Sequence, residues 1–207
     1  MSTQSEPRCA WVSAALMDSS KIRGFFVDII EADRDRGIEI LRRIKDGRRV
    51  KPDEFPKLMW AERTADNAKR PDFFKPSGFW VVSGAVANIL KKHDLGSSQV
   101  TKVKLLKTNR KDPIEGEYYN LALSEFKDTL LPNASTALRT WPNQTWALSF
   151  EPTNDQVALA SSCLTGPDLW RERQLPNAFF LSDRLVSALR EAKLTRHFKL
   201  YRCRIVG

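Results

Sequence analysis

Two histidines, three cysteines and nine glycines among 207 residues exclude more than they allow. His93 and His197 stand far apart, and Cys9, Cys163 and Cys203 form no CxxC pair. With no HExxH and no clustered ligands, a dedicated zinc site is ruled out as the basis of function. An odd, widely spaced set of thiols is no disulfide framework and implies reduced, mostly buried cysteines. No phosphate loop, GxGxxG, GxSxG or kinase-like signature occurs, so no cofactor is expected. No apolar run reaches the roughly 18–20 residues that span a bilayer. The longest, residues 79–90, is interrupted by Ser83, Gly84 and Asn88. The opening MSTQSEPRCAWVSAAL has no basic segment followed by a sustained apolar core. A signal peptide is therefore not expected, and cytoplasmic residence is.

What the chain does have is apolar mass and positive charge. A composition of 42% hydrophobic residues can bury a substantial core, arranged as one domain or two subdomains. The net charge is +9, and residues 1–112 carry 23 Lys/Arg against 15 Asp/Glu. A basic amino-terminal half suits nucleic acid, anionic lipid or an acidic protein surface, and charge alone does not choose among them.

The clearest pattern closes the chain. Phe179-Phe-Leu181, then Ser182, then apolar positions at Leu185, Val186, Leu189 and Ala192 spell a strand, a capping serine and one amphipathic helix. A strand follows, with Arg202 and Arg204 alternating against Cys203 and Ile205. The same grammar occupies residues 79–106: an apolar run, Ser83, a helix with Val86, Ile89 and Leu90, and a strand with Lys102 and Lys104 on one side. A duplicated strand–helix–strand unit is the expectation. Capping accounts for both serines without any catalytic role.

Elsewhere the apolar runs at 9–16 and 24–30 read as a hairpin or two neighbouring strands. Asp33 to Ile44 reads as a helix with either Ile38 or Ile40 beside Leu41 and Ile44, ended by Asp46-Gly47. Glu31, Asp33, Asp35 and Glu39 are interleaved with arginines, so capping and solvation explain them better than a bound ion. From Arg48 to Gly78, four prolines predict a mostly irregular connection, with Lys57-Leu-Met-Trp60 as a short extended piece. The strand at Lys102-Val-Lys104-Leu105 and the aromatic run at 117–123 predict a hairpin; residues 146–150 and 157–160 predict further strands. The resulting fold class is α+β, with a mixed or antiparallel sheet, about seven short strands and about three helices. Residues 1–71 are expected to form an amino-terminal extension or subdomain, and residues 72–207 the main α+β domain.

Candidate binding residues come from charge and from aromatics outside regular elements. Arg48 and Arg49 belong to one basic run; Lys102, Lys104, Lys107 and Arg110 belong to another that contains no acid between Asp94 and Asp112. Each run is equally the composition of a solvated face, and no nucleic-acid motif accompanies either. Of six tryptophans, Trp60 and Trp141 lie in proline-containing, irregular segments and are the candidate interface anchors. His93, at the end of a predicted helix, and His197 read as surface residues, not catalysts.

Three segments carry a family likeness in order. They are Trp80-Val-Val-Ser83 with its helix and strand, Gly116-Glu-Tyr-Tyr-Asn-Leu-Ala122, and Gly166-Pro-Asp-Leu-Trp-Arg171 leading to Phe180-Leu-Ser-Asp-Arg-Leu185. Across residues 72–206 the chain resembles the bacterial immunity proteins of polymorphic-toxin systems known as immunity family eleven. The resemblance implies a cytoplasmic, non-enzymatic protein that binds a cognate antibacterial effector and blocks it, and it brings no catalytic positions. A basic inhibitor then implies an acidic contact surface on the toxin. A basic nucleic-acid-binding accessory protein is the alternative, and no membrane partner is expected.

Overall fold

A computed structural model describes residues 9–141 and 145–207. Residues 1–8, part of the stretch read for a signal peptide, lie outside the described residues. The fold is α+β with mixed sheets, and it divides into two compact units. One is contiguous, residues 18–125; the other joins residues up to Met17 with Phe126–Gly207. The boundary expected at residue 71 falls inside the contiguous unit.

The chain begins with β1 (Ala10–Ser13), a strand of the carboxy-terminal unit. The contiguous unit then runs through β2 (Ile22–Arg23), β3 (Phe25–Val27), α1 (Asp28–Ala32), α2 (Arg34–Lys45), β4 (Leu58–Ala61), β5 (Phe73–Pro76), β6 (Trp80–Ser83), α3 (Gly84–Leu90), β7 (Gln99–Leu106) and β8 (Tyr118–Ala122). Its sheet has the order β2-β5-β6-β8-β7-β4-β3. The β2–β5 and β4–β7 pairings are parallel and the rest antiparallel. Because side chains alternate along a strand, Phe25, Val27, Met59, Ala61, Val103, Leu105, Tyr118 and Phe74 enter one core. Ile40 completes it from α2, with Leu41 and Ile44 packed alongside, while Ile38 points to solvent at 40% exposure. Burying one such large apolar side chain stabilises the fold by about 1.5–3 kcal/mol.

Local chemistry sets the helix ends. Asp33 is extended, so it stops α1, and its carboxylate accepts from the Arg36 amide at 3.0 Å to start α2. The acidic cluster is thus used for capping. Gly37 permits α1 and α2 to touch, since a Cβ there would sit 2.6 Å from Cγ1 of Ile30. The β5–β6 turn needs left-handed backbone at Ser77 (φ 42°) and Gly78 (φ 93°). Ser83 caps α3, as its spacing predicts, and also donates to Asp72 Oδ1 at 2.6 Å.

The remaining elements are β9 (Phe126–Lys127), β10 (Leu138–Trp141), β11 (Thr145–Leu148), β12 (Ala158–Ala160), β13 (Leu169–Glu172), β14 (Phe179–Ser182), α4 (Asp183–Glu191), β15 (Leu200–Arg202) and β16 (Arg204–Val206). They build a sheet of order β15-β1-β14-β13-β9, a β10–β11 hairpin and a parallel β12–β16 pair. Trp170 and Phe180 stack at 5.7 Å in a core with Val12, Leu148, Leu159, Cys163 and Cys203. Ser182 caps α4 through the Leu185 amide at 3.2 Å and donates to Asp168.

Several sequence expectations are corrected here. The runs at 9–16 and 24–30 do not pair with each other: β1 lies between β14 and β15, and β3 pairs with β4. The closing strand is interrupted at Cys203, so that β15 joins β1 and β16 joins β12. The stretch from Arg48 to Gly78 contains, besides the extended piece expected at 57–60 and found as β4, a second strand, β5, because its prolines sit at strand ends and turns. The described residues hold sixteen short strands and four α-helices, more of each than periodicity had indicated.

Candidate partner-binding face

The face of the contiguous unit's sheet opposite its helix-covered core is formed at one edge by β3, β4 and β7. Phe26 lies between buried Phe25 and Val27, and Leu58 and Trp60 flank buried Met59, so all three project to the other side. Register places Phe26 opposite Trp60, Trp60 opposite Leu106, and Leu58 opposite Lys104. Phe26 and Trp60 stack with centroids 6.0 Å apart. Phe26 remains 36% exposed and Leu58 38% exposed, an unusual outcome for apolar side chains on a sheet.

A tight turn delivers a cation to this face. The Lys107 amide donates to the Asp112 carbonyl at 2.8 Å, and the Arg110 amide donates to the Lys107 carbonyl at 2.9 Å. Asn109 Oδ1 accepts from the Lys111 and Asp112 amides, each at 3.1 Å. The turn holds Arg110 at φ 56°, left-handed for a side chain with a Cβ. Its guanidinium carbon lies 4.6 Å from the Trp60 ring centroid. The Trp60 Nε1 hydrogen is buried and has no acceptor among the described residues. Such a donor costs about 1–3 kcal/mol until something accepts from it.

Lysines border the aromatics. Lys57, Lys102 and Lys104 line a cleft of about 330 Å³ with Pro113, Ile114 and Glu117. Lys102 donates to Glu117 at 2.8 Å; this hydrogen bond raises the lysine pKa and lowers that of the carboxylate. Among the described residues no carboxylate pairs with Lys104 or Arg110.

The structure thus brings together Trp60, Lys102, Lys104, Lys107 and Arg110 of the sequence-selected residues. Trp60 occupies a strand and not an irregular segment. Arg48 and Arg49 lie elsewhere, at the end of α2 beside core residue Val50; Arg48 contacts Glu39 and Asp46, each at 3.4 Å. Trp141 belongs to β10 in the other unit, 50% exposed, with the Arg139 guanidinium 5.6 Å from its ring. Phe26, Leu58 and Lys57 escaped the sequence reading. Their signal was alternation: in FFV and LMWA buried residues alternate with more exposed ones, which leaves Phe26, Leu58 and Trp60 facing outward.

Other reactive groups are committed to structure. A cavity of about 520 Å³ in the carboxy-terminal unit is lined by Cys9, Cys163, Asp168, Ser182, Asp183 and Arg184. Asp168 takes hydrogen bonds from Ser182 and Arg184, and Asp183 from Cys9 at 3.0 Å and Trp11 at 2.9 Å. Burial first, then Asp183, pushes the Cys9 thiol up to about 12; burial pushes Cys163 to about 11 and Cys203 well upward. Thiols so protonated are poor nucleophiles. His93 Nδ1 meets the Ile89 carbonyl at 3.0 Å at the end of α3. Among the described residues no three His, Cys, Asp or Glu converge as metal ligands, and no helix is long and apolar enough to cross a membrane.

The contiguous unit thus presents an aromatic–cationic sheet face built from Phe26, Leu58, Trp60, Lys104 and Arg110. The chain belongs to the Immunity protein family (Imm11), whose model matches residues 20–200. The match begins at residue 20, well upstream of residue 72, where the resemblance read from the sequence began. No curated protein matches the chain.

Proposed function

We propose that this chain is a cytoplasmic immunity protein of an effector–immunity pair in interbacterial competition, in the setting of polymorphic-toxin or type VI secretion. It binds a cognate antibacterial toxin and neutralises it by covering the toxin's active or substrate-binding surface, with no catalysis of its own. Family membership over residues 20–200 is the observation that carries this reading. The net charge of +9 adds an expectation of an acidic contact surface on the toxin, which would hasten encounter at low salt.

The direct test pairs this chain with the toxin domain encoded by the adjacent reading frame in a susceptible bacterium. Survival only when both are expressed, with a complex recovered at physiological salt, supports the proposal. Equal killing with and without this chain overturns it. The duplicated strand–helix–strand unit belongs to the proposal too. It is supported by a shared arrangement: Ser83 with Asp72 and Ser182 with Asp168, each serine capping the helix that follows its strand.

A further inference from the structure

We propose that the β3–β4–β7 face is the surface on which the toxin docks, with Phe26, Leu58 and Trp60 as apolar anchors, Lys57, Lys104 and Arg110 as the cationic surround, and an acidic protein surface bearing its own apolar patch as the partner. This inference rests on the immunity reading above and specifies its interface.

Three observations converge on this face. Phe26 and Leu58 expose more than a third of their surface on a rigid sheet, where anchors need no ordering before they bind. Their neighbours supply charge of one sign: Lys104 and Arg110 have no carboxylate partner among the described residues, and Lys57 and Lys104 share the adjoining cleft. Carboxylates on a partner complement that field, and Trp and Arg at the centre of a patch are the residue types that dominate binding energy. Arg110 is held over Trp60 by a closed turn, so its guanidinium is already placed beside the aromatic anchors.

Nucleic acid fits less well. A base needs a bare ring face to stack on, whereas Phe26 and Arg110 both lie against the Trp60 ring. Leu58 offers no ring, and Lys102 is already neutralised by Glu117.

The test uses the full chain and purified toxin domain, with binding followed by interferometry and by amide hydrogen exchange. Leu58→Glu weakens affinity at least about thirtyfold, as loss of an anchor does. Lys104→Glu and Arg110→Glu lower the association rate about tenfold at low salt, and the effect shrinks as salt rises. Arg48→Glu with Arg49→Glu, on the helix-covered side, changes neither. Complex formation slows exchange at residues 57–61 and 107–112. Circular dichroism confirms that each variant folds, and the exchange measurement on the wild-type chain stands even where a variant does not. If the wild-type chain binds and protects while all three face variants do so equally, without slowed exchange at these segments, the face assignment falls and the immunity reading survives. If the wild-type chain neither binds nor protects, both fall. Tight binding of a mixed-sequence single-stranded oligonucleotide, lost in Arg110→Glu, overturns the protein partner in favour of nucleic acid.

Discussion

Glu54→Gln is a perturbation whose size and pH dependence follow from a handful of distances. Arg43 reaches both carboxylate oxygens of Glu54, at 2.7 and 3.1 Å, and the Lys51 amide donates to the same group at 2.8 Å. Arg43 chiefly, then the Lys51 amide, holds the Glu54 pKa at about 2 instead of 4.5. At about 1.4 kcal/mol per unit, a fully shielded shift of that size sets a ceiling of about 3 kcal/mol. The side chains are 20–24% exposed and solvent surrounds the pair, so screening reduces the expected contribution to about 1–2 kcal/mol. A depressed carboxylate pKa stabilises the native state above the unfolded value, and that stability is lost as pH falls from about 4.5 toward 2. Glutamine keeps an acceptor for the Lys51 amide while removing the charge. Urea titrations at several pH values should therefore show the variant about 1–2 kcal/mol less stable at pH 7, with the difference closing near pH 2. A difference that is constant across this range would refute the ion-pair argument. The pair also ties the last turn of α2 to the segment entering β4, which carries Leu58 and Trp60, so the variant's exchange at residues 57–61 should rise.

Other expectations are equally concrete. Ser182→Ala and Ser83→Ala each remove a helix cap and an aspartate's hydrogen-bond partner, and each should cost about 1–2 kcal/mol by thermal or urea melting. Glu172 is buried with no cation paired to it among the described residues, and burial raises its pKa despite hydrogen bonds from Thr129 and Trp170. A carboxylate pKa raised on folding makes stability fall as pH climbs from the unfolded value through the native one; Glu172→Gln should flatten that part of the stability curve. A thiol reagent at pH 8 should label the three cysteines slowly in the native chain and rapidly in denaturant, and prompt native labelling would contradict their raised pKa values.

Local periodicity made part of this fold legible. The caps at Ser83 and Ser182, the apolar faces of α2 and α4 and the β7–β8 hairpin depend on residues within a few positions of one another. Strand partners do not. β1 pairs with β14 across some 170 residues, and no property of AWVS specifies that choice. The site shows the same division. Lys102 and Lys104 share a face because alternation is local, and Trp60 was chosen for an irregular setting it does not have. Phe26 and Leu58 read as core because apolar residues in strands usually are; only the sheet's long-range order leaves their side uncovered.

The interrupted route of the chain has a consequence for synthesis. Residues 18–125 hold every strand of their own sheet, so that unit is complete soon after its last residue clears the ribosome. β1 is made earlier yet lies between β14 and β15, so it must remain unpaired until nearly the whole chain exists. A fragment of residues 18–125 should fold alone. A chain lacking residues 9–17 loses a central strand and leaves β14 and β15 with bare edges, the condition under which nascent sheets aggregate. An early-made segment thus decides whether the last-made one folds or sticks.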